Sequence, residues 1–335
     1  MSAGDAVWER AVEALATAGS VALACHVDPD GDGIGSMLAL RRAVAAGRDV
    51  HVDAGWAGDV EGGGLVVPTP YAFLPDLEHL SGPDGFKPAP DVFVALDCAT
   101  PERLGCLQAL AAQAAQVLVI DHHAAGAEFG DVRLVVPDAA ATAEIVTDLI
   151  DRLGVTLDRD IATCLYVGLV TDTGRFTYSS VTPASMQLGA RLLATGIDQA
   201  WINRQLWETH SFGYLKVLAS ALQRAAFEPG VGLVWTAVTQ AELAGAGVSL
   251  AETEGLIDVL RTIAAAECAL VCKEQADGSW QASLRSKRTV DVGAVAQQLG
   301  GGGHVYAAGF EASGSLEDVV AAVRDAIAAE GRGEA

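Results

Sequence analysis

The stretch HVDPDGDGIGS, His26 to Ser36, crowds an imidazole and the carboxylates Asp28, Asp30 and Asp32 into seven residues, directly after the apolar run SVALAC. Three further segments behave alike. Asp97 ends VFVALD, Asp121, His122 and His123 end VLVIDHH, and Asp172 lies in TDTGRF with Arg175 three residues on. Singly, each has a bland explanation: an Asp ahead of a helix is usually a cap, and an Asp at a strand end usually forms a turn. Together, four separate segments deliver mainly Asp and His. Two carboxylates about 5 Å apart repel by roughly 3 kcal/mol at an effective dielectric near 20. Such a set needs a counter-charge, and few Lys or Arg residues lie near. Divalent cations supply one. Mixed carboxylate and imidazole donors suit Mn²⁺ or a similar ion, and the lack of cysteine in these segments' donor positions argues against structural zinc. The number of donors fits two metals sharing a bridging carboxylate, which activate water and hold a phosphoryl oxygen. His26 and Asp30 can face one metal and Asp32 the other, with the intervening glycines letting the loop fold tightly.

The elements that must position these groups read as α/β. Continuously apolar runs (SVALACH, DVHVDA, DVFVALD, QVLVIDHH) alternate with helical patterns, including IGSMLALRRAVAAG, PERLGCLQALAAQ, TAEIVTDLIDRLG and RDIATCLYVGLVTDTG. That alternation implies a doubly wound, mostly parallel sheet, in which ligands bind beyond the carboxyl ends of the strands. From about Pro183 to Ala226 the pattern is nearly all helical. A new alternation begins at GVGLVWTAV, continues through a hairpin turning at DGS, and closes on the helix SLEDVVAAVRDAIAAE. The expected organisation is a catalytic domain over residues 1–198, a helical connector over 199–226 and a smaller α/β substrate-binding domain over 227–335.

Composition narrows the function. The chain has 335 residues, 51% of them hydrophobic, and a net charge of −22. A protein this acidic lacks the broad positive surface that long DNA or RNA requires. Its longest apolar runs reach only about half the length of a bilayer span, and the acidic N-terminal stretch MSAGDAVWERAVEAL is unlike a signal peptide. A soluble, cytoplasmic protein is expected, with no membrane partner. The six cysteines show neither zinc nor disulfide spacing and read as buried thiols.

HVDPDGDGIGS, ALDCA, IDHH and VTDTGRF resemble the four motifs of the DHH phosphoesterases. GGGGHVYAAGF, Gly300 to Phe310, with SLRSKRTVDVGAVAQQLG before it, resembles the companion DHHA1 domain. The resemblance covers nearly the whole chain, and its wording is similar to that of the bacterial nanoRNase and pAp-phosphatase subfamily. It implies hydrolysis of very short oligoribonucleotides, of dinucleotides such as pApA and pGpG, and of 3′-phosphoadenosine 5′-phosphate (pAp). A cyclic-di-AMP phosphodiesterase is the alternative, and a catalytically inactive nucleotide sensor the second. Family II pyrophosphatases share the first motifs but lack GGGGH, and RecJ-type exonucleases are longer.

Carried over by motif, the resemblance implies that His26 and Asp30 hold one metal and Asp32, His122 and Asp172 the other. Asp97 bridges, Asp121 orients an imidazole, and His123 faces the substrate phosphate. Mn²⁺ is the expected ion, with Mg²⁺ or Co²⁺ as substitutes. Asp28 is expected to hold the loop or cap the helix at Ile34. Arg285, Ser286, Gly301, Gly302, Gly303 and His304 are the expected substrate-binding residues, the glycines permitting close approach of backbone N–H groups to an anion. Lys287 and Arg288 complete the one dense basic patch. A homodimer closing two domains over a cleft completes the expectation.

Overall fold

The computed structural model describes residues 4–62, 64–123 and 126–330. The chain divides into two compact units between Thr209 and His210. The first contains α1 (Asp5–Thr17), β1 (Ser20–Ala24), α2 (Gly31–Ala45), β2 (His51–Gly55), the two-residue strands β3 (Val60–Glu61) and β4 (Gly64–Leu65), β5 (Val92–Leu96) and the short α3 (Gln108–Ala111). It continues with β6 (Gln116–Asp121), β7 (Val132–Val135), α4 (Thr142–Arg152), α5 (Arg159–Asp172), α6 (Pro183–Ala194) and α7 (Gln199–Trp207). Its main sheet runs β2-β1-β5-β6-β7, and every pairing is parallel. All residues of β1 and β5 are buried. Strands covered on both faces read as unbroken apolar runs, which is why these two were conspicuous in the sequence.

One expected helix is mostly something else. PERLGCLQALAAQ forms a 3₁₀ segment, Pro101–Leu107, broken at Gly105 with φ 55° and ψ −134°, before the single turn of α3. The left-handed φ is one that glycine adopts without strain. A Cβ at Gly105 would also lie 2.9 Å from Val27 Cγ1 and 2.8 Å from Ala57 Cβ. The kink therefore lets this segment lie against the loop that follows β1.

The helix α2, capped by Asp30, carries Asp32, and α5 ends on Asp172; the two cross closely. A Cβ on Gly35 of α2 would sit 2.3 Å from the Cys164 carbonyl oxygen and 3.1 Å from the Gly168 nitrogen, both on α5. Backbone cannot give way as a flexible side chain can. Gly35→Ala is expected to cost about 2–3 kcal/mol, a fall in Tm of roughly 5–10 °C for a unit of this size. A thermal melt within a degree of wild type would show that the helices do not approach this tightly.

The second unit contains α8 (Phe212–Arg224), β8 (Ala226–Glu228), β9 (Leu233–Val238), α9 (Gln240–Ala246), α10 (Leu256–Arg261), β10 (Cys268–Glu274) and β11 (Trp280–Ser286). It ends with α11 (Val292–Gln298), β12 (Gly302–His304), β13 (Ala307–Ala312) and α12 (Leu316–Glu330). The six strands run β12-β13-β11-β10-β9-β8. Only β9 and β10 pair in parallel. The β10–β11 hairpin turns at Asp277-Gly278-Ser279, where Asp277 accepts from the Ser279 backbone and hydroxyl. The helical stretch 199–226 divides: α7 belongs to the first unit and α8 to the second. Five cysteines are buried as free thiols, but Cys106 is exposed, because the 3₁₀ segment turns it outward. Among the described residues no helix is long and apolar enough to cross a membrane.

Candidate metal centre

The donors converge where the parallel strands end. His26 follows β1, Asp97 follows β5, Asp121 closes β6 with His122 and His123 after it, and Asp172 closes α5. Three groups of ligand atoms each lie within 4.8 Å of one another: His26, Asp30 and Asp97; Asp32, His122 and Asp172; Asp97, His122 and His123. Asp97 occupies the middle. Its Oδ2 is 3.5 Å from His26 Nε2, and its Oδ1 is 3.6 Å from both His122 Nε2 and His123 Nδ1. It is only 4% exposed and holds a left-handed φ of 57°. Such strain persists only where surrounding contacts over-determine the backbone; here the Asp97 amide donates to Ile120 O and Thr142 donates its hydroxyl to Asp97 Oδ1.

The motif loop differs in detail from its expected form. The helix begins at Gly31, and Asp30, not Asp28, is its cap: Asp30 Oδ1 accepts from the amides of Asp32 and Gly33. Asp28 sits in the loop at φ 51°. The glycines of GDGIG consequently do not fold a loop; they lie in α2, and Gly31 and Gly35 clear space for α5. Asp32 accepts from the backbone amides of Thr142 and Ala143 at 2.6 and 3.0 Å and from Ser36 Oγ at 3.1 Å. It thereby serves the first amides of α4, whose own cap residue Ala141 has no side chain able to do so.

The carboxylates resolve their mutual repulsion by taking different protonation states. Burial opposes ionisation of Asp97, but the His26 hydrogen bond and the charges of His122 and His123 prevail and hold it well below the usual carboxylate range. Burial and then the Asp97 charge push Asp32 up to about 7. Burial, with Asp32 and Asp97 next, raises Asp172 well above its ordinary value. Burial disfavours the charged imidazole of His26, yet hydrogen bonds to Asp30 and Asp97 outweigh it and raise the group to about 10. His122 and His123 are likewise raised against their burial, the former chiefly by Asp97 and the latter by Asp121.

The imidazoles are oriented from behind. His122 Nδ1 lies 3.2 Å from the Ala139 carbonyl and its Nε2 lies 3.2 Å from Asp172 Oδ2. His123 Nδ1 lies 2.6 Å from Asp121 Oδ1, which also accepts the His123 amide. Asp121 thus anchors His123. The donor chemistry fits divalent ions: carboxylate oxygens and imidazole nitrogens face one another across a few ångströms, and their outer atoms are fixed by backbone and carboxylate partners.

Two groups were not foreseen. Thr142 reaches Asp97 and Asp32, and Arg103 Nη2 lies 2.8 Å from His26 Nδ1. A Thr opening a helical pattern and an Arg in a turn carry no distinguishing signal in sequence. Arg175, in contrast, lies with its guanidinium 4.9 Å from the Trp207 ring centroid.

In the second unit, Arg285 and Ser286 end β11. Adjacent strand residues point to opposite faces. Ser286 is buried, its hydroxyl donating to Val305 O at 3.3 Å, while Arg285 is half-buried and donates from Nη1 to Leu284 O. Gly301 and Gly302 precede and enter β12. At Gly303, φ 146° and a Cβ only 2.5 Å from both Ala307 O and Ala308 Cα leave room for no side chain. The hairpin itself therefore accounts for that glycine. The His304 side chain lies outside the described residues. Lys287 Nζ donates to Ile263 O, and the amides of Arg288 and Thr289 donate to Glu267.

A parallel sheet whose strand ends gather carboxylates and imidazoles is suited to holding divalent ions. Residues 20–169 match the DHH family, N-terminal domain, and residues 233–329 match the DHHA1 domain. A Thermus thermophilus protein named a bifunctional oligoribonuclease and PAP phosphatase is 34% identical over 333 residues, which covers 97% of this chain and 96% of its own. A Streptococcus mutans protein named a probable enzyme of the same kind is 27% identical over 284 residues, 85% of this chain and 86% of its own. The crystal structure of an exopolyphosphatase-related protein from Bacteroides fragilis has a TM-score of 0.89 at 24% identity, covering 98% of this chain and 97% of its own, a likeness of fold. This chain belongs to the DHH–DHHA1 family of phosphoesterases.

Proposed function

We propose that the protein uses two divalent ions to hydrolyse dinucleotides and very short oligoribonucleotides to mononucleotides, and pAp to a mononucleotide and phosphate. The observation that carries this reading is the central position of Asp97 between the His26–Asp30 pair and the Asp32–His122–Asp172 trio. In this reading those residues hold the two ions, with Asp97 shared. When bound, the metals would supply a hydroxide at neutral pH and neutralise phosphoryl oxygens. Mn²⁺ is favoured by the mixed donor set. His123, fixed by Asp121, takes the substrate phosphate, and its raised affinity for a proton suits it to that anion. Arg285 and the glycine-rich strand hold a second phosphate or the nucleotide's far end. Family resemblance extends the reading to a cytoplasmic homodimer.

The test is release of phosphate from pAp and of mononucleotide from pApA, with and without Mn²⁺. No release from either by metal-loaded protein would sink the proposal. Length dependence follows from charge. With 43 acidic and 21 basic residues, the protein offers no cationic track for a long strand. Rates should fall steeply beyond about five nucleotides. Equal rates on a dinucleotide and a 24-nucleotide RNA would indicate a processive exonuclease instead.

Arg285→Ala tests the clamp. A guanidinium fork holds phosphate through two hydrogen bonds, which Lys cannot reproduce. Loss of such a contact is worth roughly 1.5–3 kcal/mol, so kcat/KM on pAp should fall about ten- to a hundredfold with metal content unchanged. Bis-p-nitrophenyl phosphate, which has no second phosphate, should suffer less. Equal losses on both substrates would make Arg285 structural.

A further inference from the structure

The first unit holds a cation at its acid-lined edge that the reading above leaves unused. Arg103 is exposed, in a chain whose acidic residues outnumber its basic ones two to one. Several other guanidiniums of this unit are in ion pairs: Arg41 and Arg42 with Asp76, Arg133 with Glu128 and Arg191 with Asp151. Arg103 has no carboxylate within ion-pair distance among the described residues. Among the described residues its one hydrogen-bonded side-chain neighbour is His26 Nδ1, at 2.8 Å.

The backbone goes to some length to keep it there. The Arg103 carbonyl accepts the Val27 amide at 2.8 Å, and the Arg103 amide donates to Thr100 O. The left-handed kink at Gly105 seats the same segment against Val27. The 3₁₀ segment is thus fastened to the residue after His26 at two points, and Arg103 is the side chain it presents. His26 does not depend on the contact. Its Nδ1 also lies 2.8 Å from the Val27 carbonyl, a partner of opposite hydrogen-bonding sense, and can serve only one of the two at a time. With Nδ1–H turned to Val27 O, the guanidinium is left with its full set of donors beside His26 and no anion to receive them. A guanidinium is the side chain best matched to a phosphoryl group, through paired N–H donors.

We propose that Arg103 binds the phosphoryl group undergoing hydrolysis, donating to its non-bridging oxygens from the His26 side of the centre. This rests on the phosphoesterase reading and adds to it a cationic residue of the first unit that meets the scissile phosphate beside His123. Arg103 then acts on whatever phosphate reacts, whether or not the substrate carries a second one.

The experiment uses Arg103→Gln and Arg103→Lys in the full-length, metal-loaded protein, with metal content measured by mass spectrometry. Inorganic phosphate is titrated calorimetrically. Its Kd should weaken about ten- to a hundredfold in Arg103→Gln and less in Arg103→Lys, which keeps the charge but loses the fork. On pAp and on bis-p-nitrophenyl phosphate, kcat/KM should fall by similar factors in Arg103→Gln, unlike the substrate-selective loss expected for Arg285→Ala. Unchanged phosphate affinity would overturn the proposal. So would loss of metal in both variants, which would make Arg103 a support for the His26 ring. If the wild type hydrolysed no phosphoester, the functional reading would fail, yet the phosphate titration would still decide whether Arg103 binds the anion.

Discussion

Replacing Asp97 is expected to lower kcat by about three orders of magnitude or more, equivalent to at least ~4 kcal/mol of transition-state stabilisation. The side chain lies 3.5–3.6 Å from His26, His122 and His123 and belongs to two of the three donor groups. Among the described residues, His122 also belongs to two of these groups, but of the two only Asp97 joins a group with His26 and Asp30. The choice of variant matters. Asp97 has φ 57°, a conformation that Asn tolerates and Ala resists. Asp97→Asn also keeps a group able to accept the Thr142 hydroxyl. Asp97→Ala combines loss of charge with backbone strain and should unfold at a lower temperature than Asp97→Asn. Crowding alone suggests that deleting any one carboxylate would relieve repulsion. The structure indicates the reverse for this one, because Asp97 is the carboxylate held ionised by three imidazoles. Both variants should therefore be less stable than wild type without metal. Turnover near wild type in a folded, metal-loaded Asp97→Asn protein would place the centre elsewhere.

What the sequence disclosed follows from how each element is stabilised. β1 and β5 are buried on both faces and so appear as unbroken apolar runs, and the donors at their ends stand out by contrast. His26, Asp97 and His122 stood out because they follow β1, β5 and β6, whose ends the sheet fixes, whereas Asp30 and Asp32 open α2 and Asp172 closes α5. The loop between β1 and α2 was not legible. Whether Asp28 or Asp30 caps α2 depends on a one-turn shift of the helix start, and both residues are good caps. Gly31 and Gly35 were visible, but their purpose was not, since the obstacles are the Thr171 side chain and the α5 backbone at Cys164 and Gly168, more than a hundred residues away. PERLGCLQALAAQ has helical periodicity, yet Pro101 and Gly105 set a 3₁₀ path with a left-handed break. That break brings Arg103 to His26, a contact that no spacing in the sequence could reveal.

Removing the metals should abolish hydrolysis, and Mn²⁺ should restore it better than Mg²⁺. The protonation pattern adds a sharper expectation. Without metal, His26 titrates at about 10 and Asp32 at about 7, while Asp172 is raised well above the carboxylate range. Near neutral pH these donors hold protons that an ion must displace. Apparent metal affinity should therefore rise with pH through about 6 to 8. Calorimetry in buffers of different ionisation enthalpy should show more than one proton released on loading at pH 6.5. The same shifts act on folding. A carboxyl raised in the folded state favours folding below its unfolded pKa, and that contribution is lost as pH rises through the folded value; Asp32 and Asp172 weaken the metal-free protein in this direction from about pH 4 upward. His26, raised from 6.5 to about 10, contributes fully below 6.5 and loses its contribution as pH climbs toward 10. Both trends have one sign, so Tm of the metal-free protein should decline from pH 5 to pH 9. Bound cations remove the reason for the decline, because each carboxylate then gains a partner on losing its proton. One site adds about 2.7 kcal/mol at 100 Kd; at a fixed free ion concentration Kd falls as pH rises, so the stability gained on loading should be larger at pH 8 than at pH 5.5. A gain independent of pH, or full activity in a preparation shown to be metal-free, would mean that these carboxylates and imidazoles do not form the metal centre.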